Sequence, residues 1–410
     1  MDNKRDRESR KQKLRARLID NETVWQEEEK EELRKKKKKR RRVRFVVAAV
    51  VIAMAAAGFI GYKVYQNSHQ YTQAVVIWEK ELAASVSSGY EAYGENVLRY
   101  TRDGAVYVDK TGEEVWNQAF EMKDPFAVVN GDYAAIADRN GYSIYICDKN
   151  GCQGTVTTTL PVSKMSISAT GITVAVLEDT KSNTIAFYDK QGTKLKIEVQ
   201  TTLAGNGYPI DLSISPNGML LMVSYVYLDE GMMQNQVVFY NFDDEGQSIK
   251  DRLVGGFKEY GNSMVARVRF LDDTHACAFA QDRLCFYSLE NTVKPEMVGQ
   301  VDITGEIGSI CYSHQYAGVL VRDGSSKKLF LYGNSGKEIF SRDIDRDYEY
   351  VEISGAHVLL YKEAECQIYN ASGNLKFQGA LPGSTDKLIY MGDNLYIQTG
   401  PQAMRGLELQ

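Results

Sequence analysis

From Asn96 to the C-terminus one pattern recurs: an apolar strand, a Gly, Asp or Asn turn, a second strand ending in an aromatic, another turn and a third strand. The first copy is VLRYTRDGAVYVDKTGEEVW, Val97 to Trp116. Later hairpins read IYICDKNGC from Ile144, IAFYDKQGTKL from Ile185, VVFYNFDDEG from Val237, LCFYSLEN from Leu284, LFLYGNSGKEIF from Leu329 and CQIYNASGNLKF from Cys366. The residues that open their turns are Asp109, Asp148, Asp189, Asn241, Ser288, Gly333 and Asn370, at intervals of 39, 41, 52, 47, 45 and 37. The interval of 52 reflects an insertion between Tyr225 and Val237 that lengthens one hairpin. Strands and turns repeating every 40 or so residues without helical periodicity are the mark of a β-propeller. A four-stranded sheet that is apolar on both faces cannot bury them alone, whereas blades around an axis cover one another and leave few open edges.

The turn openers alone do not fix the blade number. After Phe377 come three more strand-like pieces, KLIYM, NLYIQT and MRGLELQ, a blade without its outermost strand. The isolated β-branched run at 75–82, before the first full copy, is suited to supply it. Seven repeats and this composite blade predict eight blades, with seven as the alternative. The expected fold is all-β, a propeller over 96–410, with a connecting segment at 66–95.

Upstream, the chain changes character. Phe45 to Tyr62 is an uncharged run of eighteen residues, about 27 Å as a helix, within an apolar segment at 45–65. Between Arg34 and Arg44 only Val43 is not basic. Residues 1–44 carry 19 Lys and Arg against 10 Asp and Glu, a net of +9; the whole chain is −5, so residues 45–410 are −14. Basic residues flanking one end of a span predict a cytosolic tail at 1–44, a transmembrane helix at 45–65 and an exported C-terminal region, hence a plasma-membrane protein crossing once. Ala55-Ala56-Ala57 offers the rival of a cleaved signal peptide, against which stand the 44 preceding residues and the apolar run to Tyr62. The basic run suits anionic lipid headgroups, and no base-reading motif accompanies it, so lipid and not nucleic acid is the expected partner there.

All six cysteines lie on the expected outer side, where disulfides persist, and none has CxxC spacing. Cys147 and Cys152 flank a four-residue turn and are expected to pair across it; Cys277 and Cys285 are expected to do the same around Gln281. Cys311 and Cys366 remain unassigned.

The first repeat, with Asp103-Gly104, Val106-Tyr107, Asp109, Thr111-Gly112 and Trp116, resembles the tryptophan-docking repeat of quinoprotein (PQQ)-like propellers. The basic tail, the single anchor and the Tyr-rich propeller together resemble an uncharacterised family of single-pass envelope proteins of Gram-positive bacteria. The resemblance implies a fold and a location and brings no activity. A quinoprotein dehydrogenase needs a quinone-stacking tryptophan, adjacent cysteines and calcium-binding carboxylates. Beyond residue 66 the chain has only Trp78 and Trp116 and no adjacent cysteines, so no cofactor is expected.

Other chemistry is equally sparse. There is no GxSxG, and His275, His314 and His357 fall in different repeats. Asp343, Asp345 and Asp347 have the spacing that begins a calcium loop, but Tyr348 and Ser354 stand where an EF-hand needs Gly and Glu. Most tyrosines occupy one alternating strand position, which packing explains. No catalytic and no metal-binding residues are assigned. The reading is therefore a non-catalytic binding or scaffold module of the bacterial cell envelope, its partner an envelope protein, a peptide or a glycan; the alternative is an envelope enzyme whose site is built from blade loops. The inserted hairpin, with Leu228, Met232 and Met233 near its tip, is the expected binding loop, because exposed methionines make adaptable contacts.

Overall fold

The computed structural model describes residues 2–82, 88–202 and 205–410. The chain forms two units, Met1–His69 and Gln70–Gln410. The first is one helix, α1 (Asp2–Ser68), within which Lys37–Phe59 is long and apolar enough to cross a membrane.

The second unit is an eight-bladed β-propeller. Its 32 strands form eight four-stranded sheets, seven of them built from consecutive strands. Blade 1 is β2 to β5 (Gly89–Tyr93, Asn96–Tyr100, Gly104–Val108, Glu114–Ala119), and blades 2 to 7 follow in the same order up to β29 (Leu375–Ala380). Blade 8 has the order β1-β32-β31-β30, with β1 (Ala74–Glu81) on its outer edge beside β32 (Ala403–Leu409), followed inward by β31 (Leu395–Thr399) and β30 (Lys387–Tyr390). The antiparallel register runs from Ala74 opposite Leu409 to Glu81 opposite Ala403. The composite blade expected from the sequence is thus formed, and the count is eight rather than seven. One strand lay hidden in the connecting segment: Gly89–Tyr93 is the first strand of blade 1, five residues too short for its alternation to stand out.

The core is divided among the blades. Eight apolar clusters fill the eight interfaces between successive sheets, for example Leu98, Tyr107, Ile136 and Cys147 between blades 1 and 2. At the closing joint, Ile389, Ile397 and Met404 of blade 8 meet Tyr90, Val97 and Val108 of blade 1. A tyrosine is the last or last but one residue of the third strand in blades 3 to 7, at Tyr188, Tyr240, Tyr287, Tyr332 and Tyr369, all of them buried. The alternating tyrosine position is therefore a packing position, and in blade 2 Cys147 takes its place.

The turn after each third strand explains the repeat. Asp109 Oδ1 accepts the N–H groups of Thr111 and Glu113 at 2.8 and 3.0 Å, and Asp189 and Asn370 repeat this with the residues two and four places on. The glycine three places on has a left-handed φ, 85° at Gly112 and 78° at Gly373. Gly112, Gly336 and Gly373 also receive an aromatic from the preceding blade, whereas Gly192 lies against the Thr155 backbone. A Cβ on Gly112 would lie 3.0 Å from the Trp78 ring, and one on Gly373 only 2.6 Å from Phe340. Trp78, on β1, further donates its Nε1–H to Lys110 O at 2.9 Å. The closing strand thus carries its own docking tryptophan, which binds blade 8 to blade 1.

Two changes test the closure. Trp78→Ala is expected to cost about 2 kcal/mol, less than for a fully buried aromatic because Trp78 is only partly buried. A chain that begins at Ser88 instead of Asn67 is expected to melt at a distinctly lower temperature, since it lacks β1 and exposes the edge of β32. Equal melting temperatures for the two chains would contradict closure by β1.

Candidate functional site

The first strand of each blade stands nearest the axis, next to the first strand of its neighbours. These strands carry charged side chains that pair between blades. Lys387 Nζ of blade 8 lies 3.0 Å from Glu352 of blade 7 and 3.6 Å from Glu91 of blade 1. Burial opposes the Lys387 ammonium, but the two carboxylates more than offset it and hold its pKa above the usual lysine value. Burial raises the Glu91 carboxyl above its ordinary range, with Lys387 countering part of the rise. Across the ring, Asp211 of blade 4 meets Arg269 and Arg267 of blade 5 at 2.8 and 3.4 Å and accepts the Val268 N–H at 2.9 Å. Arg269 also lies over the Tyr312 ring of blade 6, 4.7 Å from its centroid. These pairs tie three successive blades together on each side, which marks them as interblade ties.

A cleft opens at one end of the propeller. Its volume is about 600 Å³, and it is lined by turns of three blades: Pro216 of blade 4, Leu271 to Asp273 of blade 5, and His314 to Tyr316 with Gly333 and Asn334 of blade 6. The chain joins the propeller at this same end, where Tyr71 and Thr72 donate their N–H groups to Lys376 O and Gln410 O, each at 2.7 Å.

The inserted hairpin leaves from the opposite end. β15 (Leu220–Asp229) and β16 (Met232–Asn241) are ten residues each, against about six in most blades. They turn on Glu230 and Gly231, both with positive φ (49° and 84°), the geometry of a two-residue type I′ hairpin. Leu228 stands opposite Met233, and Met232 opposite Asp229. Alternation therefore puts Leu228 and Met233 on one face of the ribbon and Met232 on the other. All three are exposed, at 50, 64 and 61%.

The cysteines divide. Cys147 and Cys152 are directly opposed on β8 (Ser143–Asp148) and β9 (Gly151–Thr157) and form a disulfide. Cys277 and Cys285 do not pair, contrary to expectation. On β19 (His275–Ala280) and β20 (Arg283–Ser288) Cys277 faces Phe286 and Ala278 faces Cys285, so the two thiols are one register step apart and point to opposite faces of the sheet. Cys277 packs between blades 5 and 6, Cys285 between blades 4 and 5. Cys311 and Cys366 are also free and buried.

The histidines do not converge. His275 Nδ1 hydrogen-bonds Asp272 at 2.9 Å behind the cleft, and His314 is exposed on its rim. His357 lies against Tyr390 between blades 7 and 8, their ring centroids 4.3 Å apart. Asp347 pairs with Lys327 at 3.0 Å. Among the described residues no three His, Cys, Asp or Glu are grouped to hold a metal. Trp78 is the residue that sequence reasoning passed over; its signal was a lone tryptophan in a strand without partners.

Two outcomes follow. Burial, aided by the Lys376 charge, holds the His357 imidazole down to about 4. A depressed histidine pKa contributes stability that is present above the unfolded value near 6.5 and is lost as pH falls toward 4. From pH 7.5 to 5 the protein is expected to lose about 2 kcal/mol more than His357→Phe, read as the difference between their melting curves. Peptide mapping without reductant is expected to find Cys147 joined to Cys152 and four free thiols. Reduction is expected to cost at most about 2 kcal/mol, because the closed loop is short.

Comparison with solved structures identifies the same fold. Sqt1 of Saccharomyces cerevisiae superposes with a TM-score of 0.54 at 10% identity, covering 84% of this chain and 99% of that one. BamB of Moraxella catarrhalis gives 0.50 at 11% identity, covering 82% and 100%. Sqt1 of Chaetomium thermophilum, in a structure bound to the N-terminus of the ribosomal protein L10, gives 0.51 at 10% identity, covering 79% and 93%. At such identities the likeness is one of fold. No curated protein sequence matches the chain. One family model does, over residues 67–409, and the chain accordingly belongs to the family of unknown function DUF5711.

Proposed function

We propose that this protein is a membrane-anchored β-propeller acting outside the cytoplasm as a non-catalytic binding module of the bacterial cell envelope. The observation that carries the reading is the blade-4 hairpin, a rigid two-stranded projection that presents Leu228, Met232 and Met233 to solvent. Exposed apolar side chains on an ordered projection are costly to solubility and are kept where a partner covers them. Methionine suits such contacts because its unbranched side chain adapts to the partner's surface.

The location rests on three features. The helix has one stretch of membrane-spanning length, the basic run lies on its N-terminal side, and the Cys147–Cys152 disulfide belongs to an oxidising compartment. The helix and the basic run engage membrane lipid. The net of −14 beyond residue 44 disfavours nucleic acid and favours a neutral or basic envelope protein, peptide or glycan. The L10-bound Sqt1 structure is an instance of this fold holding a protein segment.

Cross-linking in intact cells is expected to capture one reproducible envelope partner, and that capture is lost when Tyr227–Gln234 is replaced by a short turn. A reporter active only outside the cytosol, fused after Gln410, is expected to be active. Turnover of a small substrate by the purified protein, with no partner captured, would overturn the binding reading in favour of an enzyme.

A further inference from the structure

We propose that the Cys147–Cys152 disulfide is a redox switch that sets the register of the blade-2 turn and, with it, whether Trp116 docks blade 1 onto blade 2. The inference stands on this joint alone and does not depend on the binding-module reading.

The turn departs from its counterparts although its sequence matches theirs. Asp148-Lys149-Asn150-Gly151 has the Asp-x-x-Gly pattern of Asp109-Lys110-Thr111-Gly112 and Asp189-Lys190-Gln191-Gly192. In those two turns the opening N–H donates to the carbonyl four places on, Glu113 O at 2.9 Å and Thr193 O at 3.0 Å. The residue before the opener then faces the fifth residue after it, Val108 opposite Glu114 and Tyr188 opposite Lys194. In blade 2 the turn is one residue tighter: Asp148 faces Gly151 and Cys147 faces Cys152. Gly151 has a φ of 128°, against 85° at Gly112 and 82° at Gly192. Asp148 Oδ1 accepts the Asn150 N–H at 2.7 Å, which is half of the common geometry. Gln153 is displaced as a bulge between this turn and the rest of the ladder, which runs from Ile146 opposite Gly154 to Ser143 opposite Thr157. Placing Gln153 opposite Cys147 continues that ladder unbroken and restores the common turn. The disulfide prevents this, because a slip of one residue moves Cys152 to the other face of the sheet.

A second observation comes from the facing blade. Trp116 on β5, opposite Tyr107, holds the outer-strand place that Trp78 holds on β1, opposite Gly406. Trp78 packs on Gly112 and donates its Nε1–H to Lys110 O at 2.9 Å. Trp116 packs against the same apolar cluster as Cys152, yet its Nε1 is buried without a hydrogen-bond partner. Nothing lies within 4 Å of a Cβ built on Gly151. A buried N–H left unpaired is costly, and the common turn removes the cost. Gly151 then takes the part of Gly112, and Lys149 O accepts the indole N–H as Lys110 O does.

The switch is thrown by exchange with a dithiol. Its thiolate attacks Cys152 Sγ, since Cys147 is fully buried and Cys152 only partly so. The S–S bond breaks, and Cys147 leaves as a thiolate that takes a proton. The second thiol of the reductant, giving up its proton, attacks the mixed disulfide and frees Cys152. Two electrons and two protons pass to the protein, and the dithiol leaves as its disulfide.

The test uses the full chain in detergent micelles with ¹⁵N-labelled tryptophan, followed by NMR. Trp25→Phe and Trp116→Phe assign the three indole peaks. On reduction with dithiothreitol the Trp116 peak is expected to move downfield and its hydrogen exchange to slow about fivefold, the worth of one hydrogen bond, while the Trp78 peak stays in place. Cys147→Val with Cys152→Ser is expected to show the same shifted peak without reductant. Cys152→Ser with Gln153→Cys is expected to join Cys147 to the introduced thiol and to keep the shifted peak while oxidised, which separates register from thiol state. A Trp116 peak that stays put or exchanges faster on reduction would overturn the proposal, as would an introduced thiol that does not pair with Cys147.

Discussion

The pairing of β1 with β32 is the interaction on which the rest of this structure depends. Each blade buries its two faces only against its neighbours, so the eight apolar clusters exist together or not at all. An open ring of eight sheets would leave two faces and a strand edge in water. The chain avoids this by sending a strand from its beginning to complete the blade formed at its end, over the register Ala74–Leu409 to Glu81–Ala403. Trp78 then reaches beyond blade 8 to the Gly112 turn of blade 1, joining the seam through packing and one hydrogen bond.

Electrostatics reinforces the same seam. Lys387, on the innermost strand of blade 8, stands between Glu91 and Glu352 of the two flanking blades. Burial raises the pKa at Glu91, and the facing Glu352 carboxylate adds to the rise while Lys387 opposes it. The side chains keep partial access to water, so the clamp adds modestly to stability and chiefly to specificity, as ion pairs of this kind tend to. The Asp211–Arg267–Arg269 group does the same among blades 4 and 5. The axis of the propeller is thus fastened by charge and its blade interfaces by apolar packing.

A platform held so rigidly leaves its ends free to vary. Several turns after the third strands are constrained by the Asx geometry, and those at Gly112, Gly336 and Gly373 also by the aromatic that lands on the glycine. Departures occur where those constraints are absent: the hairpin at Glu230-Gly231, with no neighbouring atom near Gly231, and the cleft where the first turns of blades 4, 5 and 6 stand apart. The two lie at opposite ends of β15, roughly 30 Å apart along the strand.

How much of this was legible in the sequence follows from the range of the interactions. The turn openers from Asp109 to Asn370, the Gly residues beside them and the apolar strands are local signals, and they alone determined a propeller, its repeat and the composite final blade. The Cys147–Cys152 pairing was likewise readable, because a four-residue turn leaves little freedom in register. Cys277 and Cys285 were not, because a one-residue change of register, set by the whole of β19 and β20, moves a side chain to the other face of the sheet. The short strand Gly89–Tyr93, the docking role of Trp78, the Lys387 clamp and the cleft all required the tertiary structure. The last three join residues from different blades, tens to hundreds of positions apart, and only the packing of blade on blade brings them within reach of one another.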